Sequence, residues 1–134
     1  AILREIGEPR LRGMLRLAGY IPNSDLPAIY NEASAFLYTS LRESFGIPQL
    51  EAMACGTPVV TSATSAIPEV AGEGAILVDP TDPKAIADAL LRLETDAAFR
   101  ARQVAYGLER VKRFSWEKTA RHLLALYESL GKTN

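Results

Sequence analysis

A chain of 134 residues, 48% hydrophobic and 23% charged, has the balance of one ordinary globular domain with a core large enough to fold. Its formal net charge of -1 supplies no positive field for nucleic acid or an anionic membrane surface, so a polyanionic ligand must be held locally by backbone amides or a few placed cations. Cys55 is the single cysteine, which excludes an intrachain disulfide framework and agrees with a reducing cytoplasm, and no apolar run approaches the roughly 20 residues of a membrane span.

Ala1, where a Met would open a complete chain, falls in what reads as a helix end, a start expected inside a longer protein. Residues Gly13 to Tyr20 set Met14, Leu15, Leu17 and Ala18 around Arg16, a strand pattern. Ser24 or Asp25 then caps a helix with Pro27 in its first turn and Leu26, Ile29, Tyr30 and Ala33 on one apolar face. Ala35 to Thr39 is short, apolar and aromatic, as expected of a strand buried on both faces. Pro48 stands where a first helical residue should and Gly56 where that helix stops; Thr57 to Thr61 makes a third strand. Ile67 to Val70 is a short turn or helix and Ala75 to Val78 a fourth strand.

Asp82 caps the next helix with Pro83 at its first position and Ile86, Leu90 and Leu93 as its buried stripe. A charged helix runs from Ala97 to Arg113. Ser115 caps a last one with an apolar stripe of Trp116, Ala120, Leu123, Leu124, Tyr127 and Leu130. Alternating helices and strands without repeat or linker predict a single α/β domain over 1–134 with a parallel sheet.

The chemistry concentrates in Glu43-Ser44-Phe45-Gly46-Ile47-Pro48-Gln49-Leu50-Glu51 and its continuation through Ala52-Met53-Ala54-Cys55-Gly56-Thr57-Pro58-Val59-Val60. A strand-to-helix connection of this kind lies at the carboxyl edge of an open α/β sheet, where ligands bind. Gly46 lets a backbone approach a ligand closely, and the first-turn N–H groups of the helix form an anion site suited to a diphosphate. Glu43 and Glu51 flank that site. A carboxylate only accepts hydrogen bonds, so each is suited to gripping a pair of vicinal hydroxyls, and neither should touch the diphosphate.

The segment resembles the Glu-x7-Glu signature of the retaining group 1 (family 4) glycosyltransferases of GT-B fold. The resemblance extends through Leu17-Ala18-Gly19-Tyr20-Ile21-Pro22, Asp25 to Tyr30, Pro68-Glu69-Val70-Ala71-Gly72, Leu77-Val78-Asp79-Pro80 and Phe114-Ser115-Trp116, nearly the whole chain. It implies a three-layer α/β, Rossmann-like donor lobe that binds a nucleoside-diphosphate sugar, a GDP- or UDP-hexose, and passes the hexosyl group to an acceptor hydroxyl. By the same resemblance Glu43 contacts the sugar hydroxyls, and backbone amides at Phe45, Gly46 and Ile47 approach the sugar and distal phosphate. Glu51 holds the ribose hydroxyls with Leu50 beside it, and Tyr20 and Ile21 lie along the base. The expected place of work is the cytoplasm, with the absent lobe as a route to the membrane surface. Two other functions fit the binding logic: a nucleotide-sugar epimerase of the same fold, and a binding or assembly module without turnover.

The sequence departs from the family at its amino-terminal end. The first two strand-helix units of the donor lobe and the acceptor lobe are missing, and Arg4, Arg10 and Arg12 do not fall in the pattern of the diphosphate-gripping cations. Arg42 occupies a position often filled by an aromatic. The fragment alone is therefore expected to be inactive. In the doubly wound order the strand at 13–20 would be the third, and those at 35, 58 and 75 the fourth, fifth and sixth. Without its neighbours the third is expected to pair with a copy of the chain or to move onto the fourth.

Ser62, Thr64 and Ser65, at a strand's carboxyl end, are candidates for lining the donor pocket. His122 and Cys55 read as packing residues. No His, Cys or Asp cluster has ligand spacing, so neither a metal nor a cofactor other than the donor is expected.

Overall fold

The structure, a computed structural model, describes Leu11 and residues 13–131. The helix end expected at Ala1, and Arg4, Arg10 and Arg12, lie outside the described residues. The elements in chain order are α1 (Leu26–Glu32), β1 (Phe36–Tyr38), α2 (Ile47–Ala54), β2 (Val59–Ser62), α3 (Ile67–Ala71), a 3-10 turn (Gly72–Gly74), β3 (Ala75–Val78), α4 (Pro83–Thr95), α5 (Ala97–Val111) and α6 (Trp116–Gly131).

The three strands are parallel in the order β1-β2-β3, with Leu37 opposite Val60 and Val60 opposite Ile76. This matches the expected run of fourth, fifth and sixth strands. β2 is buried along its whole length because it is central and covered on both faces. Val59 faces a cluster with Tyr30, Ala52, Met53, Ala71 and Ala75, whereas Val60 faces Val78, Leu93 and Phe99. The period-two alternation of the strand thus divides its side chains between a layer holding α1 and α2 and a layer holding α4. Three layers result. Each fully buried valine contributes about 1.5–3 kcal/mol.

Helix punctuation follows the expected residues. Asp82 accepts hydrogen bonds from the N–H groups of Lys84 (2.9 Å) and Ala85 (3.1 Å) to start α4. Asp96 closes α4 and opens α5 by accepting from Phe99 N–H at 2.8 Å. Ser115 Oγ accepts from Lys118 N–H at 3.1 Å at the head of α6. Asp25 is the N-cap of α1, although its side chain makes no capping bond. Pro48 is the second residue of α2, with Ile47 first.

Two expectations fail. Residues 13–20 form no strand. A turn at Gly13 and Met14 leads into irregular, exposed chain, with Met14 and Leu17 open to solvent. A strand needs a hydrogen-bonded neighbour, and among the described residues β1 pairs with β2 alone, so this segment joins no ladder there. β1, in turn, is not buried on both faces. Leu37 is 43% exposed, because among the described residues β1 is an edge strand and its outer flank lacks the cover that encloses β2. The α6 stripe is also open: Trp116 is 82% exposed and no residue of α6 is buried.

Candidate functional site

The carboxyl edge of the sheet carries the loop from β1 to α2. Glu43 lies in that loop and Glu51 in the body of α2, as the sequence suggests. Gly46, the N-cap of α2, has φ +86°, and no side chain caps the helix. A Cβ on Gly46 would stand 2.9 Å from Gln49 Nε2 and 3.5 Å from Tyr38 Cε1. The left-handed backbone therefore favours glycine here, and an added Cβ would also have to displace the end of the Gln49 side chain. The helix N-terminus left open by this turn carries the partial positive charge of its unpaired amides.

Each carboxylate is oriented by a tyrosine. The Tyr38 hydroxyl donates to Glu43 Oε1 at 2.6 Å, and the Tyr30 hydroxyl donates to Glu51 Oε2 at 3.2 Å. The two tyrosines are joined through Phe36, whose ring meets Tyr30 edge-on at 5.3 Å and stacks on Tyr38 at 5.8 Å. Burial, then the neighbouring Glu51, pushes the Tyr30 phenol up to about 12. Burial, then the hydrogen bond to Glu43, does the same for Tyr38, also to about 12. Both phenols therefore remain donors at neutral pH, and the remaining lone pairs of each carboxylate can accept from a ligand.

Gln49 is fully buried behind the turn. Its Nε2 donates to Phe45 O at 3.4 Å, whereas Oε1 has no hydrogen-bond partner among the described residues. Four hydroxyls following the start of β2 bind the facing loop. Thr61 donates to Tyr38 O (2.8 Å), Ser62 to Ser40 O (2.6 Å), Thr64 to Leu41 O (3.3 Å) and Ser65 to Glu43 O (2.7 Å). Arg42 is exposed beside Glu43. Neither Tyr30, Tyr38 nor Gln49 stands out in the sequence as a site residue. The aromatic pattern of Phe36 and Tyr38 signals only a strand.

The other anticipated residues fall into two separate grooves, and Glu43 and Glu51 line neither. Phe45, Ile47 and Leu50 line an apolar groove of about 430 Å³ with Phe114 and Trp116, where Phe45 meets Phe114 edge-on at 5.7 Å. Tyr20 and Ile21 line an open groove of about 560 Å³ with Arg16, Asp25 and Ile29. Tyr20 is 89% exposed there. Among the described residues no three His, Cys, Asp or Glu side chains are grouped to hold a metal ion, and no helix is long and apolar enough to cross a membrane.

A family model described as glycosyl transferases group 1 matches residues 3–110. The chain is 42% identical over 118 residues to O-antigen chain mannosyltransferase B of Escherichia coli, covering 88% of this chain and 31% of that protein. It is 41% identical over 111 residues to D-inositol 3-phosphate glycosyltransferase of Corynebacterium urealyticum, covering 81% of this chain and 26% of that protein. Among solved structures, sucrose-phosphate synthase from Thermosynechococcus elongatus superposes with a TM-score of 0.88 at 33% identity, over 99% of this chain and 34% of that one. The carboxy-terminal domain of a glycosyl transferase group 1 family protein from Francisella tularensis superposes with a TM-score of 0.73 at 28% identity, over 84% of this chain and 59% of that one. The chain thus spans about a third or less of the curated relatives' length.

Proposed function

The chain belongs to the group 1 glycosyl transferases, and on that premise we propose that it is the donor-binding part of a retaining, metal-independent hexosyltransferase that works in the cytoplasm. The observation that carries this reading is the pair of carboxylates, Glu43 and Glu51, each held by a tyrosine hydroxyl on either side of the Gly46 turn. A nucleoside-diphosphate sugar lies along the carboxyl edge of the sheet in this reading. Its diphosphate meets the amides of Phe45, Gly46 and Ile47, where charge on the leaving group is stabilised by fixed dipoles. Glu43 accepts from hydroxyls of the hexose and Glu51 from those of the ribose, with Leu50 packed beside it. Tyr20 and Ile21 run along the base.

The rest of a longer protein supplies the acceptor lobe and the cations that grip the diphosphate. Relatives named as mannosyltransferases favour a hexosyl donor. Rate comes from positioning and from charge stabilisation rather than from a metal. The test is product analysis of the intact protein, supplied with GDP- and UDP-hexoses and an acceptor in the presence of a chelator. Transfer with the donor's anomeric configuration kept is the expected result. Inverted product, or activity that disappears with the chelator and returns with a divalent ion, would overturn the mechanism.

A further inference from the structure

The parallel ladder between β1 and β2 ends at Tyr38 opposite Thr61. Beyond that point the chain must leave the sheet to carry Glu43 toward α2, and backbone pairing no longer defines its course. Side-chain hydroxyls take over. Those of Thr61, Ser62, Thr64 and Ser65 donate in turn to the carbonyls of Tyr38, Ser40, Leu41 and Glu43. The last bond differs from the others. Ser65 Oγ donates to Glu43 O at 2.7 Å and also accepts from Glu43 N–H at 3.3 Å, so one hydroxyl holds both backbone polar groups of the same residue. A serine hydroxyl has one proton to give and two lone pairs, which is what this double contact uses.

The backbone at Ser65 supports a special role. With φ +59° it is the one non-glycine residue with positive φ among the described residues. Such a conformation is costly for a residue with a Cβ and persists where its surroundings over-determine it. Glycine would fit the backbone better but has no hydroxyl. Glu43 is thus fixed at its main chain by Ser65 and at its carboxylate by Tyr38.

We propose that Ser65 is a positioning residue whose hydroxyl sets where Glu43 stands, so that it governs turnover more than donor binding. The inference rests on the reading of Glu43 as the carboxylate that meets the donor sugar. A carboxylate displaced by a fraction of an ångström loses interactions formed as charge develops, whereas donor affinity comes from the whole nucleotide.

The test uses the intact protein, assayed well below its melting temperature. Ser65→Gly removes the hydroxyl and relieves the left-handed backbone, so Tm should stay within a few degrees of wild type. A net hydrogen-bond loss corresponds to a fall in kcat of roughly 3–10-fold, with KM for the donor nearly unchanged. Ser65→Gly introduced into a Glu43→Gln background should have almost no further effect on kcat. Wild-type kcat in Ser65→Gly, while Glu43→Gln is impaired, would overturn the positioning role alone. A Ser65→Gly effect that is undiminished in the Glu43→Gln background would overturn it too, by showing that Ser65 acts elsewhere. If Glu43→Gln itself left kcat intact, the reading of Glu43 would fall, and the positioning role with it.

Discussion

Tyr38 Oη stands 2.6 Å from Glu43 Oε1, a contact between the end of β1 and the loop that strand feeds. It ties the direction of a carboxylate to the sheet itself. Tyr38→Phe keeps the ring and its stacking on Phe36 but frees Glu43 to rotate. We expect a stability loss of about 0.5–1.5 kcal/mol, the usual net worth of such a bond, measured by urea denaturation. In the intact protein kcat should fall while KM for the donor stays close to wild type. An unchanged kcat would mean that the hydroxyl is merely a packing partner.

The same two phenols predict the alkaline behaviour. Tyr30 and Tyr38 are pushed from an ordinary value of 10.0 up to about 12 in the folded chain. A raised folded-state value means that the unfolded chain releases these protons first. Their contribution to stability is therefore complete below pH 10 and is lost as pH rises from 10 toward 12. The urea midpoint should decline across that window, and Tyr30→Phe with Tyr38→Phe should remove part of the decline. A double variant whose decline matched that of the wild type would contradict the assignment.

These contacts also show where the sequence was readable. Asp82, Asp96 and Ser115 act through amides two or three residues away, so their capping roles are visible in local spelling. The placement of Glu43 before α2 and of Glu51 within it follows likewise from Gly46 and Pro48. Tyr30 reaches Glu51 across 21 residues, and Ser65 reaches Glu43 across 22. The first depends on α1 packing against α2 and the second on the parallel register of β1 and β2, neither of which a local pattern specifies. The alternation at 13–20 shows the limit from the other side, because a pattern compatible with a strand forms one only when a neighbour supplies its hydrogen bonds. Leu37 misleads similarly: burial of an apolar residue depends on what covers it.

Gly46 offers a test of the turn. Gly46→Ala forces a Cβ into a left-handed backbone and to 2.9 Å from Gln49 Nε2. The left-handed conformation alone costs roughly 1–2 kcal/mol. Thermal unfolding should show that loss, and titration of the intact protein with a nucleotide sugar should show weakened binding, since the amides on either side of Gly46 must shift. Full stability combined with wild-type affinity would contradict the role given to this turn.

A chain that spans 31% of a curated relative should lack part of the catalytic apparatus. The purified 134-residue chain is expected to show no multiple turnovers with any nucleotide sugar and acceptor. Product accumulating beyond one equivalent per chain would contradict this.

The most direct measurement of the central claim is saturation-transfer NMR on the intact protein with its nucleotide-sugar donor, using wild type, Glu43→Ala and Glu51→Ala. Wild type should saturate both hexose and ribose protons. Glu43→Ala should weaken the hexose signals selectively and damage turnover more, because its contacts lie where charge develops. Glu51→Ala should weaken the ribose signals and raise KM. A lost charged hydrogen bond of about 1.5–3 kcal/mol makes each effect roughly tenfold or larger. Hexose signals lost in Glu51→Ala and kept in Glu43→Ala, or signals unchanged in both variants, would contradict the account.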